Sequence, residues 1–102
     1  MFMDKLQKTN EEEKVLLVGK ATSPGALRTA AVGHLRKGKV VHLDCIGVAA
    51  NYVATKTIIM IRAFLSTMGY ELEYTPIYKD YILKDSEDRI KTGIRWTLTI
   101  KH

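Results

Sequence analysis

Short apolar runs that end at glycines predict two strands in the first half of the chain. The run VLLV at residues 15–18 precedes Gly19 and predicts a buried strand. Residues 40–46, VVHLDCI, form a second such run, which Gly47 interrupts. Runs of this length closed by glycine are typical of sheet strands, so both are interpreted as β-strands.

Two longer segments carry apolar residues at the 3.6-residue spacing of a helix that faces a core. The first covers about residues 24–37, between Ser23, a good N-cap residue, and Gly38, a good C-cap residue. The second begins near residue 49 and ends at Gly69. Its length outweighs the β-branched residues at its centre, so both segments are predicted to be α-helices.

The last third of the chain predicts a long β-hairpin. Residues 70–83 are rich in Tyr, Ile and Leu, and Pro76 within them requires a bulge or an edge position. Residues 94–100 alternate apolar and polar side chains, which is typical of a half-buried strand. The polar segment LKDSEDRIKTG, residues 83–93, forms the turn between them. The order β-α-β-α-β-β predicts an α/β fold, a two-layer sandwich with both helices on one sheet face.

Length and composition are those of one small domain. The chain has 102 residues, of which 46% are hydrophobic, and no uninterrupted apolar run approaches the roughly 18 residues of a membrane span. The N-terminal residues lack the apolar stretch of a secretion signal. The single cysteine, Cys45, excludes an internal disulfide. We therefore expect a cytoplasmic protein with no membrane contact.

The net charge of +5 is unevenly distributed. Residues 1–13 carry four carboxylates and two lysines and are predicted to be a polar N-terminal arm. The predicted single domain, residues 14–102, therefore carries +7. A basic domain favours an anionic partner such as nucleic acid, although solubility alone also explains such a charge.

Histidine, aspartate and cysteine occur in the chain, but not at the spacing that a catalytic or metal site needs. His34 and His42 lack nearby cysteines or carboxylates at the spacing of a metal site. Strand alternation places His42 and Asp44 on one face and Cys45 on the other, which separates a nucleophile from its base. The sequence therefore predicts no catalytic residues, no metal, no cofactor and no small-molecule substrate.

Residues 14–102 resemble the stage V sporulation protein S family, which has the Alba fold. The loop and second helix carry the most specific part of the resemblance: Ile46, Gly47, Ala50, Ala54, Lys56, Arg62 and Phe64. Further similar positions are Ser23-Pro24, Gly33, Leu35 and Arg36 in the first helix and VLLVGK at residues 15–20.

The resemblance implies a homodimer that binds DNA or RNA and has a regulatory role in sporulation or development. Alba-type dimers use the loop after the first strand, the start of the second helix and the hairpin arms. Transferred to this chain, these positions predict phosphate contacts with little sequence specificity. The residues assigned to these contacts are Lys20, Lys56, Lys84, Arg89 and Lys91.

The chain departs from Alba at the positions that bind nucleic acid. Alba has paired lysines after the first strand, whereas Ala21 follows Lys20 here. Alba is basic where this chain has Val48, Ala49 and Val53. The hairpin carries four cations and four carboxylates between residues 79 and 91, which sum to zero. An alternative interpretation is therefore a protein–protein interaction module without direct nucleic-acid binding.

Other side chains are assigned structural roles at this stage. Arg28, Arg36, Lys37 and Lys39 are interpreted mainly as cations that favour the end of the first helix. The tyrosines of the first hairpin strand are expected to pack across strands more than to stack on bases. The run IIMI at residues 58–61 surrounds the second helix, and it predicts burial on more than one side.

Overall fold

The computed structural model describes residues 12–82 and 90–101, which form two helices and four strands. These elements are β1 (Glu13–Val18), α1 (Pro24–Arg36), β2 (Val40–Cys45), α2 (Val48–Thr67), β3 (Glu71–Ile82) and β4 (Ile90–Lys101). The predicted order and the two-layer α/β class are confirmed. The second hairpin strand, β4, is longer than predicted, because it begins at Ile90, inside the segment assigned to the turn.

The four strands form one mixed sheet in the order β1-β2-β4-β3. β1 and β2 are parallel and are joined through α1, while the other two pairs are antiparallel. β3 lies at an edge and pairs without interruption from Glu71, opposite Lys101, to Ile82, opposite Ile90. Pro76 is therefore tolerated because the strand is an edge strand, and no bulge is needed.

Local signals fix where the helices begin and end. The Ser23 hydroxyl accepts a hydrogen bond from the Ala26 N–H at 3.3 Å, which caps α1 as predicted. Gly38 ends the segment with a φ of 81°, a conformation that glycine adopts without strain. Gly47, with a φ of 95°, joins β2 directly to α2.

The core lies between one sheet face and both helices. Val41, Leu43 and Cys45 alternate along β2 and pack in the same cluster as Ile61 and Leu65 of α2. α2, with a mean hydropathy of 1.3, is long and apolar enough to cross a membrane by length and composition, which corrects the expectation from uninterrupted runs. Because this helix packs into the core of a small globular domain, the fold is typical of a soluble protein.

The opposite sheet face carries buried polar side chains instead of a second layer of helices. Asp44 is only 6% exposed and accepts two hydrogen bonds from the Arg95 guanidinium, at 2.7 and 2.9 Å. His42 lies between Glu13, at 2.6 Å, and Thr97, at 3.0 Å. The predicted separation of His42 and Asp44 from Cys45 is confirmed, and both polar groups hold neighbouring strands together.

Candidate nucleic-acid interface

The topology gathers three chain segments at one end of the molecule. Val18 and Cys45 are paired in the parallel strands, so the loop after β1 and the start of α2 lie at the same end of the sheet. Cys45 is also opposite Ile94, and the hairpin continues beyond that pair to Ile82 and Ile90. We call this region the hairpin end: residues 19–23, residues 46–52 and the hairpin residues 78–82 and 90–94.

Lys20 is exposed in the turn at the hairpin end. The turn is compact, because the Gly19 N–H donates to the Thr22 hydroxyl at 2.8 Å and Thr22 N–H donates to the Gly19 carbonyl. The first turn of α1, which follows, has no acidic residue. The helix N-terminus therefore keeps its partial positive charge, which together with Lys20 suits a phosphate.

The other predicted cations do not all meet Lys20. Lys91 is exposed at the hairpin end, opposite Tyr81 in the register. Lys56 is exposed eight residues after Val48, which places it about 12 Å along α2 from the first residue of that helix. Lys84 and Arg89 lie outside the described residues. The structure thus brings Lys20 and Lys91 to one end and leaves Lys56 on the helices.

The two helices carry positive charge and no carboxylate. We call α1, α2 and residues 37–39 the helical layer. Its cations are Arg28, Arg36, Lys37, Lys39, Lys56 and Arg62. Within residues 12–82 and 90–101, none of these six forms an ion pair. Between residues 14 and 70 the chain has one carboxylate, Asp44, and Arg95 already neutralises it.

Sequence reasoning missed this surface because it assigned the cations of α1 one by one to the helix dipole. The signal that identifies it is the absence of Asp and Glu from both helices, and a count along the sequence reveals that absence. Lys37 also serves as the C-cap residue of α1, so the dipole interpretation describes part of its role.

The pKa of His34 is lowered in part by the positive charges near the end of α1. Burial lowers the pKa of His34 first, and the nearby Lys39, Lys14 and Lys37 lower it further. Each of these lysines disfavours a second positive charge on the imidazole. Several neighbouring cations therefore act together at this part of the surface, where no carboxylate of the described helices neutralises them.

The hairpin end also carries a large apolar surface. Val48 is 89% exposed and Tyr78 is 82% exposed, and Tyr52, Ile82 and Ile90 are exposed as well. The expectation that the hairpin tyrosines pack across strands is therefore wrong for Tyr78. An apolar surface of this kind does not suit phosphate, and it occupies the place where Alba is basic.

Tyr81 does pack, and it holds the base of the hairpin. Its ring lies against Gly93, where an added Cβ would stand 2.8 Å from the ring and 2.5 Å from the Cys45 carbonyl oxygen. Burial raises the pKa of Tyr81 to about 12, with a further contribution from the neighbouring Asp44 carboxylate. Gly93, predicted to follow a turn, is thus a buried strand residue that makes room for an aromatic ring.

The apolar run in α2 is mostly used inside the domain. Ile58 and Ile61 are buried in the core, Met60 is half-buried, and Ile59 is exposed. Ile59 is therefore not covered within the described part of the chain, and its burial against a second subunit stays a prediction. A single exposed isoleucine is weak support for an interface, whereas the hairpin end offers a broader apolar surface.

The described residues 12–82 and 90–101 contain no group of three or more His, Cys, Asp or Glu side chains that could hold a metal ion. The Cys45 thiol donates weakly to the Ile94 carbonyl oxygen at 3.3 Å. Burial raises the pKa of that thiol, and the adjacent Asp44 raises it further. A buried, protonated thiol is a poor nucleophile.

Comparison with known protein families places the chain. Residues 14–101 match the family described as stage V sporulation protein S, and the match spans all six elements except the first residue of β1. A search of curated proteins found no match. The family is sporulation-associated and is not a known enzyme family. Since the match covers most of its length, the chain belongs to the stage V sporulation protein S family.

Proposed function

We propose that the protein is a non-enzymatic, cytoplasmic nucleic-acid-binding protein with a regulatory role in sporulation or development. The observation that supports this most is the separation of charge. Six cations lie in the helical layer, which contains no carboxylate, and the one carboxylate between residues 14 and 70, Asp44, is buried against Arg95. Such a surface attracts a polyanion and gains free energy by releasing the counterions of its phosphates.

Phosphate contacts explain binding with little sequence specificity. Lys20, beside the unneutralised N-terminus of α1, is the first contact that we propose. Lys91 extends the contact along the hairpin end, and Lys56 extends it along α2. Lys84 and Arg89 complete the proposed set. DNA and RNA both present the phosphates that these side chains would bind.

We also propose that the protein is a homodimer and that the hairpin end forms the interface. Val48 and Tyr78 are almost fully exposed there, and a groove of about 240 Å³ separates them beside Gly47 and Ile94. The nearby charges are partly used within the chain, because Asp80 accepts a hydrogen bond from Thr92 at 2.8 Å. The family resemblance implies a homodimer, and a second copy placed here would cover these apolar side chains.

A titration with labelled duplex DNA and single-stranded RNA at about 50 and 200 mM salt tests the nucleic-acid function. We expect binding at the lower salt concentration and a steep loss at the higher one. Lys20→Glu should weaken binding and reduce the dependence of log K on log salt by about 1. Lys101→Glu is the matched control, because Lys101 lies at the opposite end of β4 and near Glu71, at 3.7 Å.

The exposed apolar hairpin end also favours the alternative function, a protein-interaction module. In that case neither nucleic acid would bind at low salt, and the positive helical layer would serve solubility. Binding with equal losses for Lys20→Glu and Lys101→Glu would keep the function and remove Lys20 from the site.

A further inference from the structure

A groove on the outer surface of the helical layer combines two arginines with an exposed aromatic ring. It lies between α1 and α2, encloses about 240 Å³ and is lined by Arg28, Thr29, Val32, Gly33, Arg36 and Phe64. Phe64 is 38% exposed although it is a large apolar side chain. The groove is separate from the hairpin end, because its residues come from α1 between Arg28 and its last residue, Arg36, and from the last third of α2.

Arg28 is positioned over the ring without a carboxylate partner in the described part of the chain. Its guanidinium carbon lies 5.5 Å from the centre of the Phe64 ring. A guanidinium held by an aromatic ring keeps its N–H donors available at its edge, and those donors match two oxygens of a phosphate. Arg36, two helical turns further along α1, lines the same groove and is exposed.

Gly33 leaves open space in the wall of the groove. A glycine inside a helix is unfavourable relative to alanine, so its presence usually has a steric reason. Here a Cβ at Gly33 would meet no atom within 4 Å, and its backbone does not require glycine. Because no atom of the described chain requires glycine at this position, the open space is available to a molecule that approaches from outside.

We propose that this groove binds a short single-stranded segment of DNA or RNA. Arg28 and Arg36 bind its phosphates, and an unpaired base lies over Gly33 against the open part of the Phe64 ring. The proposal rests on the nucleic-acid function proposed above and adds a preference for single strands, since a paired base cannot leave its stack without cost. It also assigns to Arg28 and Arg36 a role in ligand binding, in addition to the interaction with the helix dipole that the sequence predicts.

The charges favour nucleic acid over a protein partner for this groove. The groove lining contains two cations and no anion, and the helical layer around it contains no carboxylate. A second copy of the chain would bring a like-charged helical layer against this one. A polyanion that presents both phosphates and aromatic bases complements both chemical features of the groove.

The experiment measures anisotropy of a labelled oligothymidylate and of a labelled duplex with the full chain and four variants. Phe64→Leu keeps an apolar side chain but removes the stacking surface, and we expect it to weaken single-strand binding about tenfold. It should change duplex binding by less than about twofold, because the duplex offers no unpaired base. Gly33→Glu, which places a carboxylate in the groove, should weaken single-strand binding at least as much.

The matched charge variants are Arg36→Gln and Arg62→Gln. Both remove one cation from the helical layer, but Arg62 lies on the other side of α2, beside Tyr70 and Glu71. We expect Arg36→Gln to lose about tenfold in single-strand affinity and Arg62→Gln to lose about twofold, the general effect of one charge. Circular dichroism of each variant confirms that it is folded.

The outcomes separate this proposal from the proposed function. If the unmodified protein binds neither probe, the nucleic-acid function fails and the groove proposal fails with it. If it binds and Phe64→Leu, Gly33→Glu and Arg36→Gln bind equally well, the function remains and the groove proposal is wrong. A change in oligomeric state by light scattering, with unchanged single-strand affinity, would show that the groove contacts protein and would also overturn the proposal.

Discussion

The helical layer and the hairpin end differ in charge, polarity and the use of their exposed side chains. The helical layer has six cations, no carboxylate and one half-exposed phenylalanine. The hairpin end exposes Val48 and Tyr78, and its described residues contain three lysines, Lys20, Lys79 and Lys91, and one carboxylate, Asp80. One region suits a polyanion, and the other suits an apolar partner surface.

The distribution of charge over the two regions differs from the Alba pattern that the fold resembles. The Alba pattern places the basic residues at the hairpin and at the start of the second helix. Here Val48 occupies that start and is exposed, whereas the cations lie along the outside of α1 and α2. We infer that pairing uses the apolar side chains of the hairpin end and that phosphate contacts extend from Lys20 over the helices.

The largest expected effect comes from the ion pair that supports the hairpin. Asp44→Ala would leave the Arg95 guanidinium unpaired beneath Tyr81, and we expect a loss of about 3–5 kcal/mol in the free energy of unfolding. Urea denaturation measures this loss. Glu71→Ala removes the exposed pair with Lys101, at 3.7 Å, and should cost about 1 kcal/mol or less. Equal losses of stability in the two variants would show that the Asp44–Arg95 pair contributes no more than the exposed pair.

Two glycines, one in each region, sharpen the comparison. Gly93→Ala should destabilise the protein by about 1–3 kcal/mol, because its Cβ would overlap the Cys45 carbonyl oxygen and the Tyr81 ring. Gly33→Ala should stabilise α1 by about 0.5–1 kcal/mol, since its Cβ meets nothing. Chemical denaturation of both variants checks the signs, and destabilisation by Gly33→Ala would mean that this helix position is constrained within the chain.

The third prediction tests the assignment of pairing to the hairpin end. Tyr78→Glu should raise the dimer dissociation constant about tenfold or more, because a charge would be buried against apolar side chains. Light scattering across a concentration series measures it. Ile59→Glu is the control, since Ile59 is also exposed but lies on α2 away from the hairpin end. A larger effect from Ile59→Glu would move the interface onto the helical layer.

Sequence reasoning predicted the fold because its signals are local. Glycines at 38, 47 and 69 mark positive-φ positions, Ser23 caps a helix, and strand alternation in residues 94–100 assigns the faces. The sequence does not predict which residues pair with the buried polar side chains, because Asp44 and Arg95 are distant in sequence and meet only through strand pairing. The groove at Phe64 was also missed, since it depends on how the two helices pack.

The smallest expected effect concerns the hydroxyl of Tyr81. In the described residues this buried hydroxyl has no hydrogen-bond partner, so Tyr81→Phe removes an unpaired polar group and should leave the free energy of unfolding at pH 7 unchanged or slightly higher. The hydroxyl of Tyr81 affects stability at high pH, because its folded-state pKa of about 12 lies above the ordinary value of 10.0. The unfolded chain therefore ionises first, and the stabilisation from neutral Tyr81, complete below pH 10, is lost as the pH rises through 12.

Urea denaturation at about pH 9 and pH 11 measures this loss. We expect the unmodified protein to lose more stability between the two pH values than Tyr81→Phe does, and absorbance at alkaline pH should lack the delayed tyrosine ionisation in the variant. Tyr78→Phe, at an exposed position of the same strand, should keep that delayed ionisation. If Tyr78→Phe removes it instead, the buried tyrosine at the base of the hairpin is not Tyr81, and the packing of its ring over Gly93 would have to be abandoned.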